Sequence, residues 1–184
     1  AHIDADLVAI TVETFAAKRA YQLADDLRAQ GKTVVLGGFH PTALPEEAAA
    51  HAHSVLCGDA EDTWPAMLAD LRAGRLQKRY QSAACGAITT RYDYTVFPKK
   101  DYPLIAMVQF GRGCKFNCDF CSIHAFYGSS VRFRPLPRVI DDIKRLPQKY
   151  LFFIDDNLFS RKKEAIALFR ALIPLKKKWV CQIS

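Results

Sequence analysis

No apolar run in this sequence approaches the roughly 20 residues that a helix needs to cross a bilayer. No basic-then-apolar segment of the secretory kind is present either. A disulfide framework is also missing. Of the six cysteines, three are bunched together, while Cys57, Cys85 and Cys181 lie far apart in apolar or loop settings. A reducing, cytoplasmic setting is therefore expected. Nothing marks a nucleic-acid platform. The net charge of +7 is moderate, and the lysine runs Lys99-Lys100, Lys162-Lys163 and Lys176-Lys177-Lys178, which could attract nucleic acid or acidic lipid, carry no interleaved aromatics. These lysines read as solvated helix ends and loops, and no nucleic-acid partner is expected. What remains is a chain of 184 residues, half of them hydrophobic, enough for one ordinary core or two small ones.

The chemistry is concentrated in Gly111-Arg112-Gly113-Cys114-Lys115-Phe116-Asn117-Cys118-Asp119-Phe120-Cys121, where three cysteines are spaced Cys-x3-Cys-x2-Cys. Apolar residues 104–108 precede them, so the cysteines are expected on a loop just after a strand. Three thiolates on one loop can hold a metal or an iron–sulfur cluster. A cubane [4Fe–4S] cluster usually takes four cysteine ligands. Supplying three leaves one iron open to a substrate or cofactor, as an open position does in catalytic zinc sites. A second donor set is available: His124 follows Cys121 by three residues and would complete a Cys3His zinc tetrahedron.

The spacing resembles that of the radical S-adenosylmethionine (SAM) superfamily, with Cys114, Cys118 and Cys121 at its cluster-ligand positions. Phe120 stands at the aromatic position just before the third cysteine, which in that family lies near the SAM adenine. The resemblance implies that SAM chelates the open iron. One electron from the cluster, fed by a donor such as flavodoxin or ferredoxin, would cleave it to methionine and a 5′-deoxyadenosyl radical. The zinc alternative accounts for neither Phe120 nor the strand–loop–helix setting.

Upstream, Leu7-Val8-Ala9-Ile10-Thr11-Val12 suits a strand covered on both faces. Ala16, Ala20, Leu23, Ala24 and Leu27 then recur at helical spacing, and Thr33-Val34-Val35-Leu36 forms the next strand, ending in Gly37-Gly38. This is a βαβ unit with parallel strands. A helix at 45–52 follows, then a strand at Ser54-Val55-Leu56-Cys57 closed by Gly58-Asp59-Ala60-Glu61, then a helix at 63–71. Strands alternating with helices predict a doubly wound, flavodoxin-like parallel sheet. Ligands bind such sheets beyond the carboxyl ends of the strands, where Thr11, Gly37-Gly38 and Gly58 fall.

Ahead of a radical SAM motif, this pattern resembles the second half of a cobalamin (B12)-binding domain. Thr11 matches that family's serine or threonine after a central strand, and Gly37-Gly38 the glycine pair beside the nucleotide tail. His40-Pro41-Thr42 and Gly58-Asp59-Ala60-Glu61 resemble stretches common in cobalamin-binding radical SAM proteins. Asp59 and Ala60 depart mildly from the usual Gly-Glu-Gly-Glu. The resemblance implies cobalamin contacts at Thr11, Gly37, Gly38 and Gly58. The family's first two strands, with the loop that can carry a cobalt-ligating histidine, would precede residue 1, so the chain is read as a central piece of a longer protein. His40, His51 and His53 are not assigned that ligand role.

Residues 75–103 are basic and aromatic without a sustained period. They read as an interdomain connector, with Tyr80, Tyr92, Tyr94, Phe97 and Tyr102 at a domain interface and a turn at Cys85-Gly86. Beyond it, a strand at 104–110 ends at the cysteine loop, and residues 123–128 begin a helix or continue the loop. Arg132 and Arg134 are expected either to hold the carboxylate of SAM or the substrate, since guanidinium pairs with carboxylate bidentately, or to bind carbonyls at the loop exit. Val139, Ile140, Ile143 and Leu146 make a helical face, residues 150–154 a buried strand, Ile166, Phe169, Leu172 and Ile173 a second helical face, and residues 179–183 a third strand. This is the opening of a TIM-like barrel, in which chemistry sits at the carboxyl ends of strands. Asp155-Asp156-Asn157 falls there. By resemblance it occupies the place that contacts the SAM amino group. Asp155 and Asp156 are taken for that role, one of them being expected to cap the following helix instead.

The expected organisation is a partial cobalamin-binding domain at 1–74, a connector at 75–103 and the start of a radical SAM barrel at 104–184. The expected activity is reductive cleavage of SAM by a [4Fe–4S] cluster, with cobalamin-dependent methyl transfer to an unactivated carbon of a small molecule. Cyclisation or rearrangement without cobalamin, and a zinc-stabilised binding module, are the alternatives.

Overall fold

A computed structural model describes residues 3–83, 88, 90, 92–94 and 104–183. Its contacts divide the chain into two compact units, Ala1–Ala84 and Cys85–Ser184. The expected turn at Cys85-Gly86, and Phe97 and Tyr102, lie outside the described residues.

In the first unit the order is β1 (Leu7–Thr11), α1 (Ala17–Ala29), β2 (Thr33–Gly37), α2 (Phe39–Ala43), α3 (Pro45–Ala50), β3 (Ser54–Cys57), α4 (Ala60–Arg72) and β4 (Arg79–Gln81). The strands form one sheet in the order β1-β2-β3-β4, with parallel neighbours throughout. Successive side chains of a strand face opposite ways, and the apolar runs use both faces. Val34, Leu36, Val55 and Cys57 pack with Ala20, Ala24 and Leu27 of α1 and with Ala48 of α3. Val35 and Leu56 face the other way, against Met67 of α4 and Tyr80 of β4. Helices on both faces make this the doubly wound α/β layer that the alternation of elements predicts.

β4 was not expected. Its three residues, Arg79, Tyr80 and Gln81, carry no readable period, and only Tyr80 is buried. Tyr80 was expected at a domain interface. It stands instead in the core of the first unit, where its hydroxyl donates to Asp70 Oδ2 (3.0 Å) and accepts from the Gln77 amide (3.1 Å). The sheet therefore runs past residue 74.

In the second unit the order is β5 (Ile105–Val108), β6 (Gly111–Arg112), α5 (Ser122–Tyr127), β7 (Arg132–Phe133), α6 (Leu136–Arg145), β8 (Tyr150–Phe153), α7 (Lys162–Leu172) and β9 (Lys178–Cys181). The main sheet has the order β5-β8-β9, parallel throughout. Its core joins Ala106, Val108, Leu151 and Phe153 to Val139 and Ile143 of α6 and to Leu168 and Leu172 of α7. The α6 face is the one read from the 3.6-residue spacing. On α7 the buried face is Ala165, Leu168 and Leu172 instead: Ile166 and Phe169 are half-buried, and Ile173, expected on that face, lies beyond the helix and is exposed. The expected strand at 104–110 is divided: β5 ends at Val108, and β6 leaves it to pair antiparallel with β7, Gly111 opposite Phe133 and Arg112 opposite Arg132. The ribbon is a tertiary pairing of two-residue segments, too short to leave a pattern. Residues 122–127 are helical, which settles the open alternative there.

Tyr92 and Tyr94 make contacts within the second unit. Tyr92 donates from its hydroxyl to Gln109 Oε1 (2.7 Å), and Tyr94 packs against the second core. Among the described residues, no helix is long and apolar enough to cross a membrane.

Candidate functional site

The cysteine loop is built from its ends inward. The β6–β7 ribbon closes its base, so residues 113–131 form one excursion from a pinned stem. Two glycines make the stem possible. A Cβ at Gly113 would lie 2.0 Å from the Ser130 carbonyl oxygen, and Gly113 has φ of +87°, a conformation that costs other residues about 1–2 kcal/mol. A Cβ at Gly111 would lie 2.9 Å from the Phe133 ring. The Gly-x-Gly before the first cysteine is thus a steric requirement of the loop, and it is the sequence signal from which the ribbon could have been inferred.

Beyond Gly113 the loop has little regular bonding of its own. Cys121 donates its amide to the Cys118 carbonyl (3.1 Å) and stands at the N-terminal boundary of α5. Cys118 is exposed, and Cys114 and Cys121 are half-buried. Phe120 is 89% exposed, its ring resting on no core. Among the described residues, no group of three or more His, Cys, Asp or Glu side chains is gathered closely enough to hold a metal ion, so neither donor set read from the sequence is drawn together. The donor chemistry nevertheless fits an iron–sulfur cluster: three solvent-reachable thiols on one irregular loop with a pinned base.

Asp155-Asp156-Asn157 follows β8, beside the stem, and all three side chains turn toward it. Asp155 is 3% exposed and accepts hydrogen bonds from the amides of Phe110 (3.1 Å) and Gly111. Burial pushes its carboxyl up to about 6. The two amide donors oppose that rise, and the charge of Asp156 adds to it. Asp156 Oδ2 accepts from the Gly113 amide (2.7 Å). Asn157 donates from Nδ2 to Cys114 Sγ (3.6 Å), and its Oδ1 accepts the Phe159 amide (3.1 Å). The expectation that one aspartate caps the next helix is not met: the residue before α7 is Arg161, and no side chain caps that helix. The backbone amides of the cysteine stem take these carboxylates first, because buried amides without partners are costly.

Arg134 takes the second of its two expected roles. It is 2% exposed, donates to the Gln109 carbonyl (3.1 Å), pairs with Asp142 and lies 4.4 Å from the Tyr92 ring centroid. A buried guanidinium needs such partners. Arg132 is half-buried, with its guanidinium 5.5 Å from the Tyr127 ring centroid.

In the first unit, Thr11, Gly37-Gly38 and Gly58 lie at the carboxyl ends of β1, β2 and β3, on one end of the sheet. Thr11 pairs with Gly37 and is exposed. Gly38, at φ of +99°, allows the chain to approach itself: a Cβ there would lie 2.9 Å from Thr11 Cγ2. Thr42, the last residue of the His40-Pro41-Thr42 stretch and given no role of its own from the sequence, ties these loops together. The Thr42 hydroxyl donates to the Gly38 carbonyl (2.7 Å) and accepts from the Gly58 amide (2.9 Å). No local pattern announces that bridge. The three histidines not assigned a ligand role are engaged: His40 Nε2 lies 3.2 Å from Glu47 Oε1, His51 Nδ1 lies 2.8 Å from Asp25 Oδ2, and His53 Nδ1 accepts the Val34 amide (3.0 Å).

No family model matches the chain. It is 33% identical over 97% of its length to the bacteriochlorophyllide d C-12(1)-methyltransferase of Chlorobaculum tepidum, covering 42% of that protein. It is 38% identical over 98% of its length to the bacteriochlorophyllide d C-8(2)-methyltransferase of the same organism, covering 43% of it. The chain thus spans about two fifths of the length of these curated relatives. Its fold matches that of the radical S-adenosylmethionine methyltransferase TsrM from Kitasatospora setae, a structure with cobalamin and a [4Fe-4S] cluster bound. That match has a TM-score of 0.76 at 14% identity, over 93% of this chain and 42% of that one.

Proposed function

We infer that this chain, which belongs to the family of radical SAM enzymes carrying a cobalamin-binding domain, supplies part of the cofactor machinery of a cobalamin-dependent methyltransferase acting on an unactivated carbon of a small molecule. The observation that carries the reading is the Cys-x3-Cys-x2-Cys loop at the carboxyl end of β5, on a stem pinned by β7 and by Asp155.

Cys114, Cys118 and Cys121 are the residues that would hold a [4Fe–4S] cluster. Bound together, the cluster, SAM and cobalamin supply a one-electron reductant, a radical source and a methyl carrier, and the protein's part is to position them. Three thiolates leave one coordination position for SAM. Phe120 projects a ring with the freedom to stack on adenine. Asp156, half-buried beside Gly113, offers a carboxylate for a cationic amine. Asp155, enclosed and bonded to the stem amides, positions the loop instead of touching SAM. In the first unit, Thr11, Gly37, Gly38 and Gly58 line the strand ends where a cobalamin tail would lie, and Thr42 holds their loops in register.

The test is anaerobic reconstitution with iron and sulfide, followed by electron paramagnetic resonance of the reduced protein with and without SAM, beside a Cys114→Ala variant. A cubane signal that shifts on adding SAM and is lost in the variant is expected. A colourless protein retaining one tightly held zinc would sink the reading. Titration with cobalamin tests the second cofactor: if the cluster forms and cobalamin does not bind, methyl transfer from cobalamin fails while the radical SAM assignment stands.

A further inference from the structure

We propose that Asn157 tunes the reduction potential of the cluster by donating an N–H hydrogen bond to the Cys114 sulfur. The inference rests on the cluster reading above and deepens it. Asn157 is buried, so its side-chain amide must find partners within the fold. Both ends do. Oδ1 accepts the Phe159 amide (3.1 Å), and that bond fixes which way the amide plane faces. Nδ2 is thereby turned toward Cys114 Sγ, 3.6 Å away, a hydrogen-bond distance for sulfur. Two rigid attachments make this contact a built one. β8 brings residue 157 to the cysteine stem, while Asp155 and Asp156 hold the stem at Phe110, Gly111 and Gly113.

The physical consequence follows from charge. Reduction adds an electron to the cluster and increases the negative charge on its sulfur ligands. A donor aimed at one of them stabilises the reduced form more than the oxidised one, and such bonds are among the determinants of cluster potential. A hydrogen bond to an ionised acceptor is about twice as strong as a neutral one. Asn157 therefore makes reduction easier. It is a positioning residue, since it acts on the cluster through Cys114 and needs no contact with SAM or substrate.

The experiment compares the reconstituted protein with Asn157→Ala and Asn157→Asp, following the reduced-cluster signal in a potentiometric titration. The alanine variant removes both bonds and adds no charge. The aspartate variant keeps an oxygen for the Phe159 amide and replaces the donor with an acceptor. Both are expected to bind iron and sulfide in the wild-type ratio. At a fixed potential the oxidised-to-reduced ratio should rise about tenfold in the alanine variant, about 59 mV for a one-electron couple, and further in the aspartate variant. Protein labelled with 15N at asparagine supplies a direct readout: beside any coupling from Asn117, which all three proteins keep, a second nitrogen coupling to the reduced cluster is present in the wild type and absent from both variants. If the alanine variant keeps the wild-type potential, or the wild type shows no such coupling, the proposal is overturned while the cluster assignment stands. If the wild type itself takes up no iron and sulfide, the cluster assignment fails first. If alanine prevents assembly, the aspartate variant and the second nitrogen coupling decide: a wild-type potential in that variant, or no second coupling in the wild type, overturns the proposal.

Discussion

Gly113 and Asp155 show how single positions hold the cysteine loop. At Gly113 a methyl group meets the Ser130 carbonyl oxygen, which belongs to the backbone and cannot swing aside. Gly113→Ala should therefore open the stem. Iron and sulfide bound per chain after reconstitution should fall by more than half, while far-ultraviolet circular dichroism stays near the wild-type spectrum. At Asp155 the carboxyl has an ordinary value of 3.8 and is pushed up to about 6 by burial. An acid whose folded value is raised favours folding when protonated. Its contribution is fully present below 3.8 and is lost as pH rises through about 6. About two pH units separate the values, each worth about 1.4 kcal/mol. The stability of the wild type relative to Asp155→Asn should thus fall by about 3 kcal/mol between pH 3.8 and pH 6, read from urea midpoints. A difference that is flat across that range would contradict the assignment. Thr42→Val removes the bridge between the Gly38 and Gly58 loops and leaves the Gly58 amide without that hydroxyl. A loss of about 2 kcal/mol is expected in urea unfolding.

Among the elements, long periodic segments were legible and short pairings were not. The apolar stripes of α1 and α6 and the runs of β1, β2, β3 and β8 show themselves because each repeats a spacing over several residues. β4, β6 and β7 are two or three residues long, too short to repeat anything, and exist because partners far along the chain offer hydrogen bonds. β4 is the clearest instance. Tyr80 anchors it, with its ring packed beside Val35, Leu56 and Met67. Tyr80→Ala should cost the first unit about 3–4 kcal/mol by urea denaturation. Tyr80→Phe, which keeps the ring and loses the bond to Asp70, should cost about 1 kcal/mol. Equal costs for the two would mean that the hydroxyl, and not the ring, holds the strand.

Across the whole molecule, each unit has its own core, and the second leaves apolar surface uncovered. Met107, Phe152 and Val180 stand side by side on the face of β5-β8-β9 opposite α6 and α7, and Met107 and Val180 are well exposed. Contiguous apolar surface of this kind promotes association. The chain by itself should show light scattering that grows with concentration. Met107→Lys with Val180→Lys should reduce that scattering while changing stability by no more than about 0.5 kcal/mol, the usual range for exposed positions. An unchanged concentration dependence would mean that this face does not drive association.

The sequence by itself determined the α/β class, the succession of parallel strands and the three thiols, because periodicity and ligand spacing are local properties that a few neighbouring residues express. It also placed Asp155-Asp156-Asn157 beside the cysteines, since chemistry collects at the carboxyl ends of parallel strands. Only the tertiary structure decided what those side chains do there. Asp155 turned to the stem amides, Asn157 to Cys114 and Arg134 to Asp142 because buried donors, acceptors and charges must be matched within the fold. The partners that match them lie 8 to 45 residues away in sequence.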